Sequence, residues 1–158
     1  MGVVSKIIDN SISTIEALTP VTRQQHGFKA VSNIDLDSLP RVPGAHRKFS
    51  VKYSEEFTVD TSFPWTTGTN MYINRVLDFI MILRLEGRDV VESLKDAAED
   101  ADQIIVSLMQ VENYTSASDT DGSLVKRDIN EGPLIEIDTE EGSAILTMSF
   151  TCKYMRTL

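Results

Sequence analysis

The stretch INRVLDFIMILRLEG, residues 73–87, decides between two folds. Leu77, Phe79, Met81, Leu83 and Leu85 alternate without a break, while Ile80 and Ile82 make the opposite face apolar only at its centre. A helix through the same residues would be apolar nearly all round and would leave Asp78 and Arg84 without a polar side. The stretch therefore reads as a central strand, ended at Gly87.

Working outward, Val90, Val91, Leu94, Ala97, Ala98, Ala101, Ile104, Ile105 and Leu108 recur at helical spacing and predict a helix over about 88–110. Glu92, Lys95, Asp96, Glu99, Asp100 and Gln103 are expected on its solvated face. Two further apolar runs, PLIEID and AILTMSFTCKYM, flank TEEGS, whose Gly142 suits a hairpin turn. In the last run Leu146, Met148, Phe150, Cys152 and Tyr154 share one side, expected to pack on the helix at 88–110. Thr147, Ser149, Thr151 and Lys153 share the other.

Upstream, Phe49, Val51, Tyr53, Phe57 and Val59 alternate with Ser50, Lys52, Ser54, Glu56 and Thr58, broken only at Glu55. That pattern predicts a half-buried strand. Val4, Ile7, Ile8, Ile12, Ile15 and Leu18 predict an amphipathic helix over 3–18, stopped before Pro20. Residues 21–47 read as irregular, with a short strand near 28–34. The fold class is thus α/β (α+β): a mostly antiparallel sheet, an N-terminal helix, a second helix packed on one face, and a C-terminal β-hairpin. One domain over 1–158 is expected, with long loops at about 60–72 and 113–131.

Composition narrows the function classes. Fifteen basic and 24 acidic residues give a net charge of −9, a poor basis for gripping phosphate backbones. Acidic walls do suit a channel through which DNA passes without sticking. The longest apolar run is about five residues, against the ~20 that a membrane helix needs. The N-terminal MGVVSKIIDN reads neither as a secretory signal nor as a myristoylation site, and a single cysteine excludes an internal disulfide. An intracellular product, or one assembled inside a cell, is expected.

The chemistry-bearing residues form no recognised constellation. Asp119, Asp121 and Gly122 fit part of a calcium loop, but its first position would be Ala117 and its twelfth Asp128, so an Asp/Gly turn is the expected reading. His26 and His46 read as surface-loop histidines, and Cys152 as a small core residue. Asp96, Glu99 and Asp100 read as solvated, and neither a phosphate-cradling glycine loop nor a nucleophile elbow is present. No catalytic, cofactor or metal site is expected. Two features call for a partner instead: the rigid aromatic corner of Phe63, Pro64 and Trp65, and the hydroxyl-rich strand faces. Those faces suit solvent, a subunit contact or a channel lining.

The order of HRKFSV, LDFIMILRL, EGRD, VVESLKDAAEDADQIIVSLM and PLIEIDTEEGSAILTMSFTCKYM, behind an amphipathic helix, resembles the tail-terminator (tail-completion) proteins of long-tailed bacteriophages. The resemblance lies in arrangement over residues 3–156 and rests on no invariant motif. It implies a non-enzymatic virion protein that forms a hexameric ring on the tail tube, ends tube polymerisation and joins the tail to the head. Its implied partners are further copies of itself, the tube protein and a neck or head-completion protein, with DNA passing through the lumen. Phe63, Trp65, Tyr72, Asp119 and Asp121, in the two long loops, are the candidate contacts with tube or neck. A neck or head-completion protein, or a small ligand-binding α+β domain, are the alternatives.

Overall fold

The computed structural model describes residues 2–31, 46–60, 70–110 and 124–157. Among these residues two helices, α1 (Val3–Glu16) and α2 (Val90–Met109), accompany five strands: β1 (Lys29–Ala30), β2 (Lys48–Val59), β3 (Asn70–Arg84), β4 (Leu124–Asp138) and β5 (Ser143–Thr157). The strands form one sheet in the order β1-β2-β3-β5-β4. Only β1 and β2 run parallel; the other neighbours are antiparallel. Residues 73–84 are therefore strand, and β3 is the central one. The short strand expected near 28–34 is reduced to Lys29 and Ala30 among the described residues.

Alternation becomes sidedness through register. Phe49, Met81, Leu146 and Ile135 form one cross-sheet row, and Val51, Phe79 and Met148 the next. These side chains, with Leu77, Phe150, Cys152 and Tyr154, meet Val3, Ile7, Ile15, Ala97, Ala101, Ile104 and Leu108 of the helices in one core. Phe49 stacks on Phe79 with centroids 5.6 Å apart. Each fully buried Leu, Ile, Phe or Met among them contributes roughly 1.5–3 kcal/mol.

The helices are too short for the sheet they cover. At 14 and 20 residues they span about 21 and 30 Å. The 15-residue strands β3, β4 and β5 reach about 50 Å each. The cover also fails sideways, on β2: Phe49 and Val51 are buried, whereas Tyr53, Phe57 and Val59, in the same alternating series, are exposed although Leu77, Phe150, Tyr154 and Leu124 in the rows of Tyr53 and Val59 are buried. The expected half-buried strand is buried only along its first part.

The turns follow local chemistry. Glu86 and Gly87 both take positive φ, 47° and 81°, to leave β3. Asp89 then caps α2 by accepting a 2.8 Å bond from the Glu92 N–H. Gly142, at φ 65°, closes the four-residue turn between β4 and β5. Two loop boundaries differ from the sequence reading. β3 begins at Asn70, so Tyr72 lies in a strand, and β4 begins at Leu124, inside the stretch read as loop.

The phase of α2 is the largest correction. Its buried side carries Ser93, Asp96, Ala97, Asp100, Ala101, Ile104, Ser107 and Leu108, while Val90, Val91, Leu94 and Val106 are exposed. Asp96 and Asp100, expected in solvent, are 3% and 0% exposed. The alanines still allow close approach to the sheet, but the helix is turned so that two carboxylates meet cations, one from before β2 and one from the turn before α2.

Candidate functional site

Those cations are Arg47 and Arg88. Arg47, just before β2, is fully buried at φ 56°, and its Nε donates to Asp100 Oδ2 at 2.7 Å and its Nη2 to Asp100 Oδ1 at 3.1 Å. Its remaining donors reach the Arg23 carbonyl at 2.8 Å, the His26 carbonyl at 3.0 Å and the Thr22 carbonyl at 2.7 Å. The guanidinium also lies 5.6 Å from the Phe28 ring centroid. With its fork occupied in this way, Arg47 has no donor left for a ligand; it ties the chain after α1 to β2 and α2. Burial pushes the Asp100 carboxyl up from its ordinary value, and the Arg47 bonds act against that. Arg88 pairs with Asp96 at 2.6 Å nearby.

Two more groups complete this end of the molecule. His46 is buried, not at the surface as expected, and its Nδ1 accepts from the Arg84 N–H at 2.8 Å. Burial, with Arg23, Arg47 and His26 close by, lowers its pKa to about 3, so the ring is neutral. Arg23 is paired with Glu86, and His26 Nε2 stands 3.7 Å from the same carboxylate. Arg23, Arg47 and Glu86 are the non-glycine residues with positive φ among those described. A network that holds strained backbone at three points is over-determined, as a structural clamp must be.

A second buried arginine, Arg127 on β4, donates to Asn10 Oδ1 and, at 3.0 Å, to Ser11 Oγ on α1. It is the row partner of Cys152, whose thiol burial raises to about 11 against the opposing pull of Arg127. Cys152 is therefore a core thiol, as the alternation implies, and no nucleophile at neutral pH. Among the described residues no three His, Cys, Asp or Glu side chains gather as a metal site.

Among the described residues, the surfaces open to a partner include the exposed apolar side of α2, the other face of the sheet and the sheet edges. On that face Lys52, Asp78, Ser149 and Glu131 form one row, and Ser50, Ile80, Thr147 and Leu134 the next. Between them lies an open groove of about 830 Å³, walled by Gly132 and Pro133, where β4 leaves regular pairing. Gly132 packs so tightly on β5 that an added Cβ would sit 2.9 Å from the Thr147 carbonyl oxygen. Asn130 Nδ2 donates to Ser149 Oγ at 3.2 Å, and Lys153 pairs with Asp60 at 2.6 Å. The hydroxyl-rich faces of β2 and β5 thus lie together on the side away from the two helices.

Of the candidate contacts, Tyr72 is half-buried on β3, and its carbonyl accepts from the Asp60 N–H at 2.9 Å. Phe63, Trp65, Asp119 and Asp121 lie outside the described residues. Asp128, the last position of the weighed calcium loop, is in β4 and pairs with Lys126 at 2.9 Å. The buried Arg47, Asp100, Arg127 and His46 escaped the sequence reading, since each is placed by residues far away in the chain. No protein-family model matches the chain, and no curated protein matches it.

Proposed function

We propose that the protein is a structural ring subunit, a tail terminator that caps a phage tail tube and offers the head-joining surface. The observation that carries this reading is the sheet itself, which ends in strand edges on both sides and keeps a polar face clear of the helices. A subunit that repeats head to tail needs two different surfaces of this kind. The acidic balance of −9 suits a lumen that lets DNA slide. The order of elements supports the reading through its resemblance to tail terminators. The role is non-enzymatic, and it places the protein at the junction of tail and neck in the virion.

Negative-stain imaging of the purified protein mixed with tail tubes tests it. Rings on one end of each tube are the expected result, and a persistent monomer that ignores tubes overturns it. A protein found on heads but absent from isolated tails would instead be a neck component. The groove beside Lys52 and Glu131 favours a second reading, a small ligand-binding domain. A ligand that raises the melting temperature, with no binding to tubes, would select that one.

A further inference from the structure

We infer that copies of this chain associate by adding the edge of β2 that no described strand covers in one subunit to the outer edge of β4 in the next, residues 51–59 against residues 124–131. The inference rests on the ring reading for closure of the assembly, while the contact itself is argued from the two edges. Among the described residues β4 pairs only with β5, which leaves its outer edge open. At the opposite border, β1 covers β2 only at Lys48 and Phe49, with Val31 N–H donating to the Phe49 carbonyl at 2.8 Å. From residue 51 onward the outer edge of β2 has no described strand beside it.

Direction and length both match. Three successive antiparallel steps, from β2 to β3 to β5 to β4, leave β2 and β4 antiparallel to one another. A neighbour's β2 laid beside β4 therefore continues the alternation already present. Both segments are bulged, β2 between Tyr53 and Phe57 and β4 between Leu124 and Lys126 and between Ile129 and Glu131, so the match is made at the paired rows on either side of the bulges. The widest break on β4, between Glu131 and Leu134, and the end of β1 on β2 lie on the same side of their segments, so those rows continue from one copy to the next.

Side chains agree on both faces. Continuing the rows without a shift sets Lys52 of one copy beside Glu131 of the next, on the open face. On the helix side it sets Tyr53 beside Ile129 and Val59 beside Leu124. Tyr53, Phe57, Val59 and Val125 are exposed by 54, 55, 39 and 40%, and all four lie within these two segments. The acidic Glu55 and Glu56 fall in the β2 bulge and face the row of Asp128, whose charge Lys126 already pairs. Opposite charges across the seam and exposed apolar groups beneath it fit a second copy of this chain better than an unrelated strand. The contact is heterologous, so it propagates from copy to copy and makes a ring where its rotation closes.

The test is sedimentation velocity over a range of concentrations, on the full chain and on Lys52→Glu, Glu131→Lys and the double variant. The wild type should self-associate, each single reversal should weaken association at least tenfold, and the double reversal should bring it back to within about threefold. Both positions are exposed, and far-UV circular dichroism with thermal melting confirms that each variant is folded. Amide exchange at high concentration should slow at residues 51–59 and 124–131. A wild type that stays monomeric, single reversals without effect, or a double variant no better than the singles overturns the contact. Rings that assemble on tubes but ignore the reversals would overturn this contact and leave the tail-terminator reading standing. Edge-mediated association without tube binding would do the reverse.

Discussion

The two ends of β2 received the same alternating pattern and met opposite fates. At its start Phe49 and Val51 are buried, and the adjoining Arg47 is locked to Asp100 and to three carbonyls of the preceding chain. At its far end Tyr53 and Phe57 stand more than half exposed, with the Arg75 guanidinium 5.7 and 5.0 Å from their ring centroids. Alternation decides which side a residue takes; burial requires a second layer above that side. The helix layer covers the rows of Tyr53 and Val59 at Leu77, Phe150 and Tyr154 but does not reach them on β2, so one periodic signal yields both a core and an exposed apolar surface.

The largest loss of stability is expected at the clamped end. Arg47→Met leaves the Asp100 carboxylate buried without its cation and should cost about 3–5 kcal/mol in urea denaturation. Adding Asp100→Leu should recover most of that loss, because replacing both partners removes the unpaired charge. No recovery would mean that the carbonyl contacts, rather than the ion pair, dominate. Gly132→Ala, where β4 changes from regular pairing to bulge, combines a φ of 90° with a Cβ 2.9 Å from the Thr147 carbonyl oxygen. A loss of roughly 1–3 kcal/mol is expected there, read by the same denaturation.

The clamp also carries a pH signature. His46 is held neutral in the folded chain down to about pH 3, whereas unfolding returns it to 6.5. The unfolded state binds the extra proton between those values, so stability is full above pH 6.5 and falls as pH drops below it. The limiting slope is about 1.4 kcal/mol per pH unit. His46→Asn, whose Oδ1 can keep the Arg84 N–H bond, should flatten that slope when denaturation midpoints are compared at pH 7, 6 and 5. The smallest effect belongs to the exposed end. Phe57→Ser should change the stability of the isolated chain by no more than about 0.5 kcal/mol. A larger loss in its thermal melt would show that this end is packed after all.

How much was legible in the sequence depended on the range of the interaction. The strand at 73–84, both helices and the final hairpin follow from periodicity and turn residues, which are local. The stripe read for α2 holds at Ala97, Ala101, Ile104 and Leu108 and fails at its start, where Val90, Val91 and Leu94 are exposed and Asp96 and Asp100 are buried beside it. What turned the helix was Arg47, 53 residues from Asp100 in the chain. His46 read as a loop residue for the same reason: its burial is set by the Arg84 N–H and by Arg23, from two other segments. Tyr72 and residues 124–131 read as loop because polar and apolar residues mix there, yet sheet pairing extends through them.

By itself, then, the sequence determined the set of elements, the side each strand residue faces, the acidic surface and the core role of Cys152. Those depend on residue period, charge count and turn chemistry within a few positions. Only the tertiary structure decided which carboxylates are buried, where the helix layer ends along β2, and which strand edges stay open. Each of these is a contact between segments distant in the chain, and its energy exists only once the two segments have been brought together.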